Sequence, residues 1–107
     1  MSLYAANDDN FKDFLANHSK IVVKFYAPWC GTCRLLAPKF KQWATELAQD
    51  GVVFLNVNAG DSPLTRRHAG LFNLPFTAFY KNGQLYENTD SHNESYLQER
   101  IAHFLSL

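Results

Sequence analysis

The apolar run Ile21-Val22-Val23-Lys24-Phe25-Tyr26-Ala27 passes almost directly into an amphipathic segment, and both cysteines of the chain stand at the junction. The run has the length and β-branched content of a buried strand. After it, Cys33, Leu36, Ala37, Phe40, Trp43, Ala44 and Leu47 recur with the period of one helical face. A strand feeding a helix in this way predicts an α/β arrangement and sets Cys30-Gly31-Thr32-Cys33 at the helix N-terminus. Unpaired backbone N–H groups and the positive end of the macrodipole there favour a thiolate at Cys30 over a thiol. Cys33 follows on the same helical face, close enough for the two sulfurs to bond, so the chain can open and close a small ring reversibly.

The remaining segments extend the alternation. Phe11, Phe14, Leu15 and His18 share a helical face behind the polar cluster Asn7-Asp8-Asp9-Asn10, which offers N-cap side chains. The helix that carries the cysteines is expected to stop near Asp50-Gly51, and Val52-Val53-Phe54-Leu55-Asn56-Val57 is a second strand. Ser62-Pro63 supplies an N-cap with proline at the first helical position of a short helix running toward Gly70. Phe76 to Lys81 and Gln84 to Glu87 flank Asn82-Gly83, the dipeptide favoured in a type I′ hairpin turn. Ser91 and Glu94 predict a capping box ahead of a last helix that presents Leu97, Ile101, Phe104 and Leu105. The order predicts one α/β domain over 1–107, with a mixed central β-sheet covered by helices on both faces.

Composition says little about partners. Ten basic and ten acidic side chains cancel, so the overall charge gives no argument for nucleic acid, an anionic membrane or a strongly charged substrate, and neither nucleic acid nor membrane is expected as a partner. A hydrophobic content of 47% in 107 residues is ample for one packed core. No stretch approaches the roughly 20 apolar residues of a membrane helix. Met1-Ser2-Leu3-Tyr4 lacks the basic-then-apolar order of a signal peptide, so the expectation is a cytoplasmic chain. A leader removed from a longer precursor would leave export or a periplasmic place open. Two cysteines cannot build the multi-bridge framework of a small secreted domain.

Each singled-out residue carries a plain alternative. The cysteines are a redox pair, or a pair of small buried hydrophobes, or half of a metal site. A structural zinc ion wants four Cys/His ligands, and His18, His68, His92 and His103 are scattered through separate elements as surface residues, so no metal is expected. Trp29 is a core aromatic or an apolar wall beside an exposed nucleophile. Pro75, judged from sequence alone, is trans, as most X-Pro bonds are. Pro38 interrupts the helix hydrogen bonding and belongs to architecture. For Lys24, either the stem crosses the apolar layer and the ammonium snorkels to the sheet edge, or the amine lies partly desolvated under Cys33 and exchanges its proton.

Taken together, Phe25-Tyr26-Ala27-Pro28-Trp29-Cys30-Gly31-Thr32-Cys33 resembles the active-site segment of thioredoxin and protein disulfide isomerase domains. Pro38 resembles the proline inside the family's active-site helix, Leu74-Pro75 its cis-proline segment facing the cysteines, and Lys81-Asn82-Gly83 its hairpin turn, all at matching spacing. The resemblance runs from about Phe11 to the C-terminus, with the family's first strand represented by the stretch near Leu3-Tyr4-Ala5. It implies a thioredoxin-like fold and a thiol–disulfide oxidoreductase acting on protein disulfides and dithiols. Cys30 is then the nucleophile and Cys33 the resolving thiol. Trp29 and Leu74-Pro75 shape the docking surface, Gly31 allows close approach of the substrate backbone, and Thr32 tunes the redox poise. The sulfurs carry both electrons, so no organic cofactor is implied; a monomer fed by a thioredoxin-reductase-like flavoprotein is. The alternative is a non-catalytic thioredoxin-like module that captures peptides or proteins.

The chain also departs from the family pattern. Lys24 stands where a buried acidic residue is usual, and Phe54 where thioredoxins often carry that acid's lysine partner. Thr32 replaces a proline or histidine and offers a hydroxyl to the Cys30 sulfur. Phe76 replaces a threonine, and Asn73 a glycine whose left-handed backbone asparagine tolerates. Arg34 adds positive charge beside Cys33. An ammonium in place of a buried carboxylate favours thiolates, which predicts a pair more oxidising than that of a typical thioredoxin.

Overall fold

The computed structural model describes residues 3–107. Its central strand, β2 (Lys20–Tyr26), is buried without interruption from Ile21 to Phe25, because other strands flank it and helices cover both of its faces. Hence its sequence, Lys24 apart, is apolar toward both faces where a half-exposed strand would alternate. Around it the chain forms a short edge strand β1 (Leu3–Ala6), helix α1 (Phe11–Asn17) and the long helix α2 (Gly31–Glu46). It continues through β3 (Val52–Asn58), a 3₁₀ turn (Ala59–Asp61) and α3 (Pro63–His68) to the hairpin β4 (Phe76–Lys81) and β5 (Gln84–Thr89), and closes with α4 (Glu94–Leu105). The five strands lie in the order β1-β3-β2-β4-β5. β3 pairs in parallel with β1 and β2, and β4 pairs antiparallel with β2 and β5. This is the mixed α/β sheet expected, and β1 occupies the stretch assigned to the first strand. Met1 and Ser2, which entered the comparison with a signal peptide, lie outside the described residues.

Alternation along the strands divides the core in two. Ile21, Val23 and Phe25 pack with Val53, Leu55, Val57, Phe76 and Tyr80 on the face covered by Phe11 of α1. Val22, Phe54 and Phe79 face the other way, onto Leu36, Phe40 and Trp43 of α2 and Leu97, Ile101 and Phe104 of α4. Lys24 and Tyr26 share the parity of Val22 and therefore sit on the α2 side of the sheet.

The helix ends differ from expectation, each for a local reason. α2 stops at Glu46, short of Asp50-Gly51: Ala48, Gln49 and Asp50 are exposed and give the helix nothing to pack, and Gly51 at φ +79° turns the chain into β3. The Ser91–Glu94 capping box does not form. Asn93, an equally good cap, takes the Tyr96 N–H at 2.9 Å, and Ser91 Oγ accepts from the Asn93 N–H instead. Asn10 sits at the N-cap of α1, but its side chain accepts the Asn7 N–H and caps no helical amide. Ser62 likewise leaves α3 uncapped; the Leu64 and Thr65 N–H groups are taken by the carboxylate of Asp8 at 3.1 and 2.8 Å. Ala37 is exposed instead of core-facing, and β5 runs on to Thr89 past a bulge opposite Phe79 and Tyr80.

The hairpin turn agrees with its dipeptide. Asn82 and Gly83 have φ of 52° and 83°, the paired positive angles of a type I′ turn. An alanine at Gly83 would have to adopt that left-handed backbone. Gly83→Ala is expected to lower stability by about 1 kcal/mol in urea unfolding with an unchanged m-value.

Candidate active site

β2 ends at Tyr26 and α2 begins at Gly31, so the intervening turn delivers Cys30 to the N-cap of α2. The chain turns there because the Cys30 N–H bonds the Ala27 carbonyl at 3.0 Å, and Arg34 then pins the turn by donating from its guanidinium to the Pro28 carbonyl at 2.7 Å. Cys30 and Cys33 are joined by a disulfide, with their Cα atoms 5.3 Å apart. Cys30 Sγ accepts the Cys33 backbone N–H at 3.2 Å, so the sulfur itself acts as the helix cap. That amide is one of the unpaired donors at a helix start, and it would hold a thiolate on Cys30 more strongly than a neutral sulfur. Thr32 Oγ1 makes no hydrogen bond among the described residues, so the donor to Cys30 is the backbone and not the hydroxyl that the sequence suggested.

The two sulfurs are unequally covered. Cys33 is 2% exposed and Cys30 6%, so Cys30 is the outer of the two yet still largely shielded in the disulfide form. Ala27, Tyr26 and Leu74 close over the pair. The Leu74–Pro75 peptide bond is cis, and Leu74 brings its loop against the cysteines as expected. Trp29 is 78% exposed, which removes the core-aromatic alternative and leaves an indole standing in solvent beside the disulfide. An added Cβ at Gly31 would meet only the Arg34 guanidinium at 3.9 Å, an ordinary contact, so the chain's own packing does not require glycine there. Of the four histidines none is buried, and among the described residues no group of three or more His, Cys, Asp or Glu is arranged to hold a metal.

Beneath Cys33 lies a cavity of about 260 Å³ lined by Lys24, Tyr26, Ala27, Pro28, Cys33 and Asn56, among others. Lys24 is 2% exposed, so it does not snorkel to the sheet edge; its Nζ rests 5.1 Å from the centre of the Phe40 ring. Burial pushes its amine down from the ordinary 10.5 to about 8. Phe54, the position compared with a lysine partner, instead pairs with Val22 and packs on Phe40 with ring centres 5.6 Å apart. The residue beside Lys24 in the strand register is Asn56, which the sequence reading passed over. Counting by two from Phe54 along a strand would have put it on the same face as Lys24. Phe72, exposed and edge-on to Phe76 just ahead of Leu74-Pro75, was also missed.

A strand-to-helix turn that ends in a sulfur-capped disulfide, faced by a cis-proline loop, defines a redox-type dithiol site. Residues 2–105 match the family model described as Thioredoxin, and the chain belongs to the thioredoxin family. It is 30% identical to the thioredoxin of Malassezia sympodialis over 94 residues, an alignment covering 88% of this chain and 90% of that protein. The solved structure of that thioredoxin superposes with a TM-score of 0.88 at 26% identity, covering 98% of this chain and 95% of the other. The chain is also 37% identical over 75 residues to protein disulfide isomerase-like 1-4 of Arabidopsis thaliana, covering 70% of this chain. It spans only 13% of that protein's length.

The buried cation generates a stability prediction. Lys24 binds its proton less tightly when folded than when unfolded, so near neutral pH it opposes folding. Stability should therefore rise as pH climbs from about 8 toward 10.5, where the unfolded chain holds the extra proton. Lys24→Met is expected to stabilise the disulfide form by about 1–3 kcal/mol at pH ~7, with the gain shrinking toward pH ~10. Urea unfolding at the two pH values measures it; a variant less stable than the parent at pH ~7 contradicts the assignment.

Proposed function

We propose that this chain is a thiol–disulfide oxidoreductase that exchanges disulfides with protein substrates through Cys30 and Cys33, its 107 residues acting as one domain. The observation that carries this is the disulfide at the N-cap of α2, whose outer sulfur takes a backbone N–H. In the reducing direction the Cys30 thiolate attacks a substrate disulfide and forms a mixed disulfide. Cys33 then attacks Cys30 and releases the reduced substrate; the reverse sequence oxidises a dithiol. Trp29 and the Leu74-Pro75 loop border the pair and form the docking surface. The absence of any internal demand for glycine supports Gly31 as the point where a substrate backbone comes close. Thr32 lies within the ring that opens and closes, where its exchange alters the poise. Lys24, as a cation beneath the pair, favours the thiolate and raises the potential.

The electrons pass between sulfurs, so the cycle calls for no organic cofactor. As a reductase the chain would act as a monomer regenerated by a thioredoxin-reductase-like flavoprotein. We take a cytoplasmic location, with an exported one as the alternative that the isomerase relatives raise.

Insulin precipitation with dithiothreitol as reductant tests the activity. The native protein should accelerate it, and a Cys30→Ser, Cys33→Ser double variant should fall to the rate of dithiothreitol alone; equal rates would reduce the chain to a binding module. The division of roles has its own measurement. Brief iodoacetamide treatment of the reduced protein at neutral pH should label Cys30 ahead of Cys33, and mass mapping that found Cys33 labelled first would reverse the assignment.

A further inference from the structure

Among the described residues Lys24 is the one fully buried charged side chain, and its ammonium has neither a hydrogen bond nor a carboxylate partner. Its neighbour is the π face of Phe40. Directly across the strand register, Asn56 carries a buried amide oxygen, Oδ1, that receives no hydrogen bond. An unpaired donor and an unpaired acceptor thus stand side by side, and both residues line the cavity that reaches Cys33. Buried polar groups are ordinarily satisfied, so the orphaned Asn56 Oδ1 beside a lysine free to donate and a sulfur that changes charge points to a second arrangement belonging to the reduced protein.

We propose that Lys24 holds the proton that leaves Cys33 when its thiolate forms, and that the resulting ammonium donates to Asn56 Oδ1. The inference rests on the exchange activity proposed above. Once Cys30 is bonded to the substrate sulfur, the neutral Lys24 amine takes the proton of the Cys33 thiol. The electron pair left on Cys33 Sγ attacks Cys30 Sγ, the Cys30–Cys33 bond forms, and the bond from Cys30 to the substrate breaks. The substrate sulfur leaves as a thiolate and takes a proton from solvent. The cysteine pair is oxidised by two electrons and the substrate disulfide reduced by two.

No other group around the cavity is suited to the task. From α2 come Cys33 itself and Arg34, whose guanidinium is engaged with Pro28 and stays charged. From β2 comes Tyr26, whose phenolic O–H is a hydrogen-bond donor and acceptor but offers no basic site. β3 and β4 contribute the uncharged Asn56 and Thr77 beside Lys24. No carboxylate lines the cavity. With the amine pushed down to about 8 by burial, about one molecule in ten carries it neutral at pH ~7, enough to serve as a base without a further cofactor. The oxidised state leaves Lys24 without a counter-ion, and the opened forms supply one, the Cys30 thiolate in the reduced protein and the Cys33 thiolate in the mixed disulfide.

The test joins a titration to single-turnover kinetics, with insulin as the substrate. Titrating the Lys24 Cε resonance by NMR should give a midpoint about one pH unit or more higher in the reduced protein than in the disulfide form. Asn56→Leu, close in shape and without the amide, should shrink that difference while the far-ultraviolet circular dichroism stays native. Lys24→Met should slow release of insulin from the mixed disulfide about 10²-fold near pH 7 and erase the rise in rate centred near pH 8. A Lys24 midpoint identical in the two redox forms, or Lys24→Met release with the native rate and pH profile, overturns the inference. If mixed disulfides form normally in that case, the exchange activity stands and only the proton-holding role falls. Failure of the native protein to form any mixed disulfide with insulin would overturn both.

Discussion

The pairing of β2 with a strand on each side is the constraint from which the site follows. β3 runs parallel to it and β4 antiparallel, so its backbone is paired on both sides from Lys20 to Phe25, and its end is a fixed point from which α2 departs. Cys30 inherits its position from that point, and Cys33 inherits its burial from the first turn of a helix whose apolar side must lie on Val22 and Phe54. The antiparallel partner has a matching effect. β4 starts at Phe76, immediately after Leu74-Pro75, so the strand that seals β2 on one side also anchors the loop that meets the sulfurs. Two connections far apart in sequence are brought together by one strand's hydrogen bonding.

Much of this was legible in the chain because it rests on repeating patterns. Periodicity gave the helices and strands, the Asn82-Gly83 dipeptide gave the hairpin, and the position of the cysteines after an apolar run gave the site. What escaped depends on contacts between residues distant in sequence. Asp8 serves as the cap of α3 from 57 positions away, a role that no local rule assigns, while the serine at the expected cap makes no such bond. Asn56 was invisible for a related reason. It matters only because β3 lies in register beside β2, and the register emerges from the sheet as a whole. At the start of α4 the ambiguity was local instead, since Ser91 and Asn93 are both good caps and the side-chain hydrogen bonds decide between them.

Lys24 shows how a single charged residue can leave a fold intact while deciding what its interior does. The strand tolerates the lysine because the aliphatic stem packs like its neighbours and the ammonium finds an aromatic face. On the same side of the sheet Val22, Phe40 and Phe54 are apolar, so the cost is confined to one charge and one amide. That confinement is what allows a cation to sit beneath the cysteines while strand order and helix placement stay those of a thioredoxin fold.

The chain has two tryptophans, and the fold has put them in opposite surroundings. Trp43 is 1% exposed within the α2 core, whereas Trp29 stands 78% exposed beside the cysteines. A dry indole emits toward the blue and a wet one toward the red, and a neighbouring disulfide quenches by accepting the excited electron. The red component of the protein's own fluorescence therefore belongs to the redox centre and the blue component to the core. Opening of the disulfide and loss of the fold are thus written at separate wavelengths in the same molecule, with no label attached.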